Sequence, residues 1–277
     1  MSMVSKLNGS ISKSKSYLCI GLDPHPDEMF IENVFDFNKQ IVDATHDLVA
    51  AYKPQFAFYE ALGISGLQAL KDTISYIRSV NPNIVVIGDA KRGDIGSTAK
   101  AYASSLFEFW DVDIATVNPY MGMDTLLPYL KYNDRGIFVI CRTSNSGSGD
   151  LQNLRVFDDK KKKLFEFVAD LSFGISDGSN VGLVVGATYP EDVKIIREKH
   201  PDVPILIPGV GAQGGDLHAC IEGAVDSMGK GFLINVSRSI IFATKNLVDY
   251  SNITRKRALE LRNAINESLD KLESESI

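Results

Sequence analysis

The chain has 277 residues, 44% hydrophobic and 23% charged, which excludes a disordered, collagen-like or fibrous protein. Its 29 basic and 35 acidic side chains give a net charge of −6, so no globally basic surface exists to hold nucleic acid. No apolar run is long enough to span a bilayer, and no membrane partner is expected.

Residues 1–15 are polar, with several serines and lysines and without the apolar block of a secretory signal. They read as a frayed N-terminal tail ahead of one domain spanning 16–277. From there, short β-rich runs alternate with helical patterns. The expected strands are Tyr17–Leu22, Tyr52–Phe58, Ile84–Asp89, Val112–Val117, Gly136–Arg142, Val181–Val185, Pro204–Pro208 and Phe232–Val236. Most are continuously apolar, as in Ile84-Val85-Val86-Ile87, which is how a strand buried on both faces of a parallel sheet reads. Between them, Leu67, Leu70, Ile74 and Ile77 keep a helical spacing, and so do Ala258, Leu261, Ile265, Leu269 and Leu272 near the end. Lys160 to Lys163 form a charge run that reads as a solvated helix start. Strand–helix alternation fits a closed (β/α)8 barrel or a doubly wound open sheet. The length favours the barrel, and no G-x-G-x-x-G follows the first strand, so the α/β fold expected is a single-domain (β/α)8 TIM barrel. Cys19, Cys141 and Cys220 are odd in number and widely spaced, as core thiols of a reduced, cytoplasmic protein are. The four histidines show no metal-ligand spacing.

Barrel enzymes gather their chemistry at the C-terminal ends of the strands. The third strand here ends in Asp89-Ala90-Lys91-Arg92-Gly93-Asp94. Strand alternation puts Asp89 and Lys91 on one face, and Gly93 can turn the chain ahead of Asp94. An ammonium between carboxylates stays protonated. The motif reads either as a self-satisfied buried ion pair or as a catalytic cluster, and Lys53 at the neighbouring strand end favours the cluster. Lys53 lies in an apolar run, so it needs Asp89 or Asp23 as a partner or must thread its head to water. After the seventh strand, Gly209, Gly211, Gly214 and Gly215 can present backbone amides to an anion, and Arg238 after the eighth can bind phosphate in bidentate fashion. Loops seven and eight of barrels often hold phosphate, which points to a phosphorylated small-molecule substrate.

These residues carry a family resemblance. Asp89-Ala90-Lys91-Arg92-Gly93-Asp94-Ile95-Gly96-Ser97-Thr98 is similar to the signature of the orotidine 5′-phosphate decarboxylases. Gly21-Leu22-Asp23-Pro24, the segment from Lys53 to Glu60, Asn118-Pro119-Tyr120-Met121-Gly122, Thr143-Ser144-Asn145 and the segment from Pro208 to Asp216 follow in family order. The chain most resembles the longer branch of that family. The resemblance implies cofactor-free decarboxylation of a nucleotide, orotidine 5′-phosphate, to uridine 5′-phosphate, the last step of UMP synthesis. It implies a homodimer in which Lys53, Asp89 and Lys91 of one subunit meet Asp94 of the other, with Thr98 also reaching across to the ribose. Asp23 and Lys53 would hold ribose hydroxyls, and Thr143 or Ser144 the pyrimidine, with Pro208 packed nearby. Gln213, the backbone of Ser237 and Arg238 would grip the phosphate. Gln55 and Asn235 are added as secondary contacts by strand alternation alone. Ser237 stands where some members carry glycine, which suits a serine only if its φ is ordinary. Barrels that decarboxylate a keto-gulonate phosphate resemble the third-strand motif too. A Schiff-base aldolase using Lys53 or Lys91 and a non-catalytic nucleotide-binding barrel are the competing readings.

Overall fold

Eight short apolar strands pair side by side in sequence order, and the last returns to the first. In the computed structural model, which describes residues 1–156, 162–175, 178–210 and 216–275, they are β1 Leu18–Leu22, β2 Ala51–Pro54, β3 Val85–Arg92, β4 Ile114–Val117, β5 Gly136–Arg142, β6 Val181–Val185, β7 Ile205–Pro208 and β8 Phe232–Val236. All neighbours are parallel, and β1 closes on β8 through Leu18 opposite Ile234, so the sheet is a closed barrel. This is the expected (β/α)8 architecture.

Strand alternation divides the core into two layers. Cys19, Ala51, Val85, Ile87, Ile114, Phe138, Val184, Leu206 and Leu233 point inward and fill the barrel. Their neighbours, such as Leu18, Ile20, Val86, Ile137, Leu183 and Ile205, point outward beneath the helices. One step beyond the inward layer the same parity delivers Lys53, Asp89, Thr116 and Asn235 to the mouth of the barrel. The helical spacings lie where expected. Leu70, Ile74 and Ile77 bury one face of the helix Gly63–Val80, and Ala258, Ile265 and Leu269 bury one face of Tyr250–Glu275.

Residues 1–15 are not a frayed tail. Met3–Ser14 form a helix capped by the Ser2 hydroxyl, and Met3, Leu7 and Ile11, spaced four apart, plug the bottom of the barrel. A side chain on Gly136 would run into Met3, with a Cβ only 2.2 Å from the Met3 Sδ, so the glycine is what lets the plug seat. Lys6 then locks it by pairing at 2.7 Å with buried Asp113. The apolar stripe escaped notice because polar residues surround it. The second strand is also shorter than expected. It stops at Pro54, which has no N–H to continue the ladder, and Phe56–Glu60 turn helical, burying Phe56 and Tyr59 three apart. In the charge run, Lys163 immediately precedes the helix Leu164–Gly174 and Lys162 pairs with Asp170, while Lys160 and Lys161 lie outside the described residues. Cys19, Cys141 and Cys220 are free and buried. Among the described residues, no helix is long and apolar enough to cross a membrane.

Candidate active site

A cavity of about 540 Å³ opens at the C-terminal ends of the strands. At its centre is Asp89, which is 5% exposed. Lys53, 4% exposed, approaches one carboxylate oxygen at 2.6 Å, and Lys91 approaches the other at 2.6 Å. Gln55 donates to Oδ2 at 3.0 Å and the Thr116 hydroxyl to Oδ1 at 2.9 Å. Burial alone would raise the Asp89 carboxyl, but the two lysines outweigh it and hold the group well below the usual carboxylate range. Burial likewise works to lower Lys53, and the carboxylates of Asp89 and Asp23 more than reverse it, so the ammonium is held above its ordinary value. The centre is therefore a locked ionic chain of Lys53, Asp89 and Lys91. The neighbouring Cys19 thiol is pushed up to about 12 by burial and stays neutral.

The route by which Lys91 meets Asp89 is not the regular strand alternation expected from the sequence. β3 is bulged against β4: Gly88 pairs with Ala115, but the next pair is Arg92 with Val117. Lys91 sits within the bulge at φ +46°, a region that side-chain-bearing residues avoid. Its N–H bonds the Thr116 hydroxyl at 2.9 Å rather than a backbone carbonyl. Gly93 is required for a reason other than turning. A Cβ there would fall 2.9 Å from the Asn118 carbonyl oxygen, so the glycine allows two strand ends to touch.

The remaining expected residues divide into three groups. Asp23, Lys53, Gln55, Asp89, Lys91, Thr143, Ser144, Pro208, Asn235, Ser237 and Arg238 line this one cavity. Asp94 and Thr98 do not line it. Asp94 precedes the helix Gly96–Ser104 instead of belonging to it and accepts a bond from the Ile95 N–H at 2.7 Å, while Thr98 lies exposed in that helix's first turn. The two therefore do not share a helix face. Gln213, with Gly211, Gly214 and Gly215, lies outside the described residues. Ser237 has φ −125°, which a serine can adopt, with ψ −87°, outside the regular helical and extended regions. The seventh strand runs into Gly209 at φ +99°, a conformation that favours glycine.

Two buried polar atoms at the cavity wall, Asp23 Oδ1 and Ser237 Oγ, have no hydrogen-bond partner. Unpaired buried polar atoms are costly, and at a cavity wall they are what a polar ligand would satisfy. Sequence reasoning missed Thr116, which read as an ordinary strand residue, and Gln152. The segment from Asn145 onward folds as a short 3-10 turn, Ser146–Ser148, and a helix, Gly149–Gln152. Gln152 then clamps Thr143, accepting from its N–H at 2.9 Å and donating to its hydroxyl at 2.9 Å. Arg142 is no part of the site. A second bulge, between Ile140 and Arg142, turns it outward onto buried Asp192 at 2.8 Å. Among the described residues, no group of three or more His, Cys, Asp or Glu side chains is placed to hold a metal.

A closed parallel barrel with ionised side chains gathered at its strand ends is a (β/α)8-barrel enzyme. Residues 16–252 match the profile of the Orotidine 5′-phosphate decarboxylase / HUMPS family, and the chain belongs to that family. It is 45% identical over 275 residues to an orotidine 5′-phosphate decarboxylase of Cellvibrio japonicus, covering 96% of this chain and 98% of that protein. A relative of the same description from Dechloromonas aromatica is 45% identical over 273 residues, covering 96% and 99%. Among solved structures, the Leishmania donovani OMP decarboxylase superposes with a TM-score of 0.84 at 39% identity, covering 97% of this chain and 99% of that one.

Proposed function

We infer that the chain decarboxylates orotidine 5′-phosphate to uridine 5′-phosphate and carbon dioxide, the last step of UMP synthesis. The observation that carries this reading at the level of residues is the Lys53–Asp89–Lys91 chain lining the same cavity as Arg238. Breaking the bond between C6 and the carboxylate leaves an electron pair at C6 that the ring cannot delocalise. Stabilisation must come from fixed charge aimed at that carbon. Lys91 supplies it and then passes a proton from Nζ to C6, and its side chain, 47% exposed, faces the cavity rather than the packed interior. Asp89 cannot be neutralised at working pH, because both its oxygens are held by lysines. It holds Lys91 Nζ in place through the 2.6 Å ion pair, and no cofactor takes part.

Asp23 and Lys53 hold the ribose hydroxyls in this reading, with the unpartnered Asp23 oxygen as acceptor. Thr143 and Ser144 face the pyrimidine, with Pro208 packed beside it and Gln55 and Asn235 as outer contacts. Arg238, the Ser237 backbone and Gln213 take the phosphate. Binding energy gathered at that remote group then serves the reacting carbon.

The active unit is a two-fold dimer in which Asp94 and Thr98 enter the partner's cavity. Three features support this arrangement. Both residues lie outside the cavity of their own subunit. Ile95, beside Asp94, is 60% exposed. Tyr120 is 84% exposed, and Met121 next to it packs against Gly93, so the third and fourth strand ends form one apolar rim. Buried free thiols suit a reducing compartment, and the cytoplasm is the expected location.

An aldolase reading requires a neutral lysine, and Lys53 is held charged by two carboxylates. The test of function is the fall in ultraviolet absorbance on adding orotidine 5′-phosphate, with a parallel borohydride trap. Turnover without a covalent adduct is expected, and a trapped lysine adduct would favour the aldolase.

A further inference from the structure

We propose that Thr116 is a positioning residue for the decarboxylation, its one hydroxyl fixing both the backbone of Lys91 and the carboxylate of Asp89. The inference rests on the functional reading above. β3 and β4 pair regularly through Ile87 with Ile114 and Gly88 with Ala115. The next pair, Arg92 with Val117, lies four residues on along β3 but only two along β4. The bulge thus holds Asp89, Ala90 and Lys91, the segment that carries the charge, opposite the single residue Thr116. The backbone ladder resumes where the Asn118 N–H bonds the Arg92 carbonyl at 2.8 Å.

Inside the bulge, a side chain replaces the missing ladder contact. The Lys91 N–H donates to Thr116 Oγ1 at 2.9 Å, and the hydroxyl donates to Asp89 Oδ1 at 2.9 Å. The direction of both bonds is fixed by chemistry. An ionised carboxylate only accepts and an amide N–H only donates, so the hydroxyl's single proton goes to Asp89 and a lone pair receives Lys91. Thr116 is 1% exposed, so its two bonds are shielded from competition by bulk water. Lys91 also sits at φ +46°, a conformation that persists only where surrounding contacts impose it. The hydroxyl is the contact at that residue's own N–H. It sets the origin from which the Lys91 side chain leaves the backbone, and it sets the rotation of the carboxylate that Nζ meets at 2.6 Å.

Thr116→Ser and Thr116→Ala form the test pair, because both lose the methyl group and differ only in the hydroxyl. Thr116→Ser should keep kcat within about fivefold of wild type, and Thr116→Ala should fall about 10- to 100-fold below Thr116→Ser, the scale of a small misplacement of a reacting group. KM should differ between the two by less than about threefold, because the residues assigned to the ribose, pyrimidine and phosphate are unchanged. Equal kcat values for the pair, or a loss confined to KM, would overturn the proposal. If Thr116→Ala does not fold, Thr116→Val against wild type isolates the hydroxyl, because valine keeps the shape of threonine and replaces only its OH. Wild-type turnover in the same assay separates the two levels: with wild type active, an equal pair refutes only the role of Thr116, whereas an inactive wild type refutes the functional reading itself.

Discussion

Replacing Asp89 and replacing Lys91 should do different things to the protein, although the two touch. Asp89→Ala removes a carboxylate that receives bonds from Lys53, Lys91, Gln55 and Thr116. It strands the Lys53 ammonium at 4% exposure, and an uncompensated buried charge costs about 3–5 kcal/mol. Asp23 remains as a second counter-charge for Lys53, which places the loss towards the lower figure. At about 2–4 °C per kcal/mol for a domain of comparable size, the melting temperature should fall by about 6–20 °C. Lys91→Ala removes a side chain that is 47% exposed, and an ion pair with such a group contributes about 0–1 kcal/mol. Its melting temperature should stay within about 4 °C of wild type. Its turnover should nevertheless collapse below about 1%, because the proton donor alone is worth about 100- to 10,000-fold. Thermal melts and the absorbance assay on the same preparations make the comparison. A Lys91→Ala protein that melts as early as Asp89→Ala, or that keeps more than about 1% of wild-type turnover, would refute the division of roles.

Arg238→Ala should raise KM for orotidine 5′-phosphate about 10- to 100-fold, the worth of a charge-assisted contact, and should leave phosphate-free orotidine unaffected. A variant that still prefers the phosphorylated substrate as strongly as wild type would contradict the assignment. Lys91→Ala and Asp94→Ala, each inactive alone, should recover about a quarter of wild-type activity when co-refolded, since half the dimers are mixed and each mixed dimer has one intact site. Verified heterodimers that stay inactive would mean that Asp94 serves its own subunit. The stability difference between wild type and Asp89→Asn should be flat from about pH 5 to pH 9 in urea unfolding. The depressed Asp89 carboxyl contributes fully above its unfolded value of about 3.9 and loses that contribution only below it, while the raised Lys53 contributes fully below about 10.4 and loses it only above. A difference that shrinks between pH 6 and pH 8 would show that another group titrates in the network.

The eight strands were legible because a parallel strand buried on both faces has to be continuously apolar, as Gly136–Cys141 are. Most of the cavity wall followed from one rule, that polar residues just past those runs reach the mouth. The rule failed wherever the strand geometry departs from the regular pleat. The β5 bulge sends Arg142 outward, and the β3 bulge brings Lys91 to Asp89 through a left-handed residue. The β5 bulge has no marker such as proline or glycine, and the β3 bulge is marked only by Gly88 at its start. Thr116 was invisible because it acts on the backbone of the neighbouring strand, and Gln152 because it reaches the Thr143 backbone only once the short helix Gly149–Gln152 has formed. The N-terminal plug was missed because Met3, Leu7 and Ile11 are three apolar residues in a polar segment, and their burial depends on the hollow left by Gly136.

The claim at the centre is that Lys91 protonates the carbon from which carbon dioxide leaves. Turnover of orotidine 5′-phosphate in deuterium oxide, read by NMR of the product, tests it most directly. Wild type should place deuterium at C6 of uridine 5′-phosphate and release one carbon dioxide per product, and Lys91→Ala should yield neither at a measurable rate. Product formed by Lys91→Ala at a rate near wild type, with deuterium at C6, would show that another donor does this work.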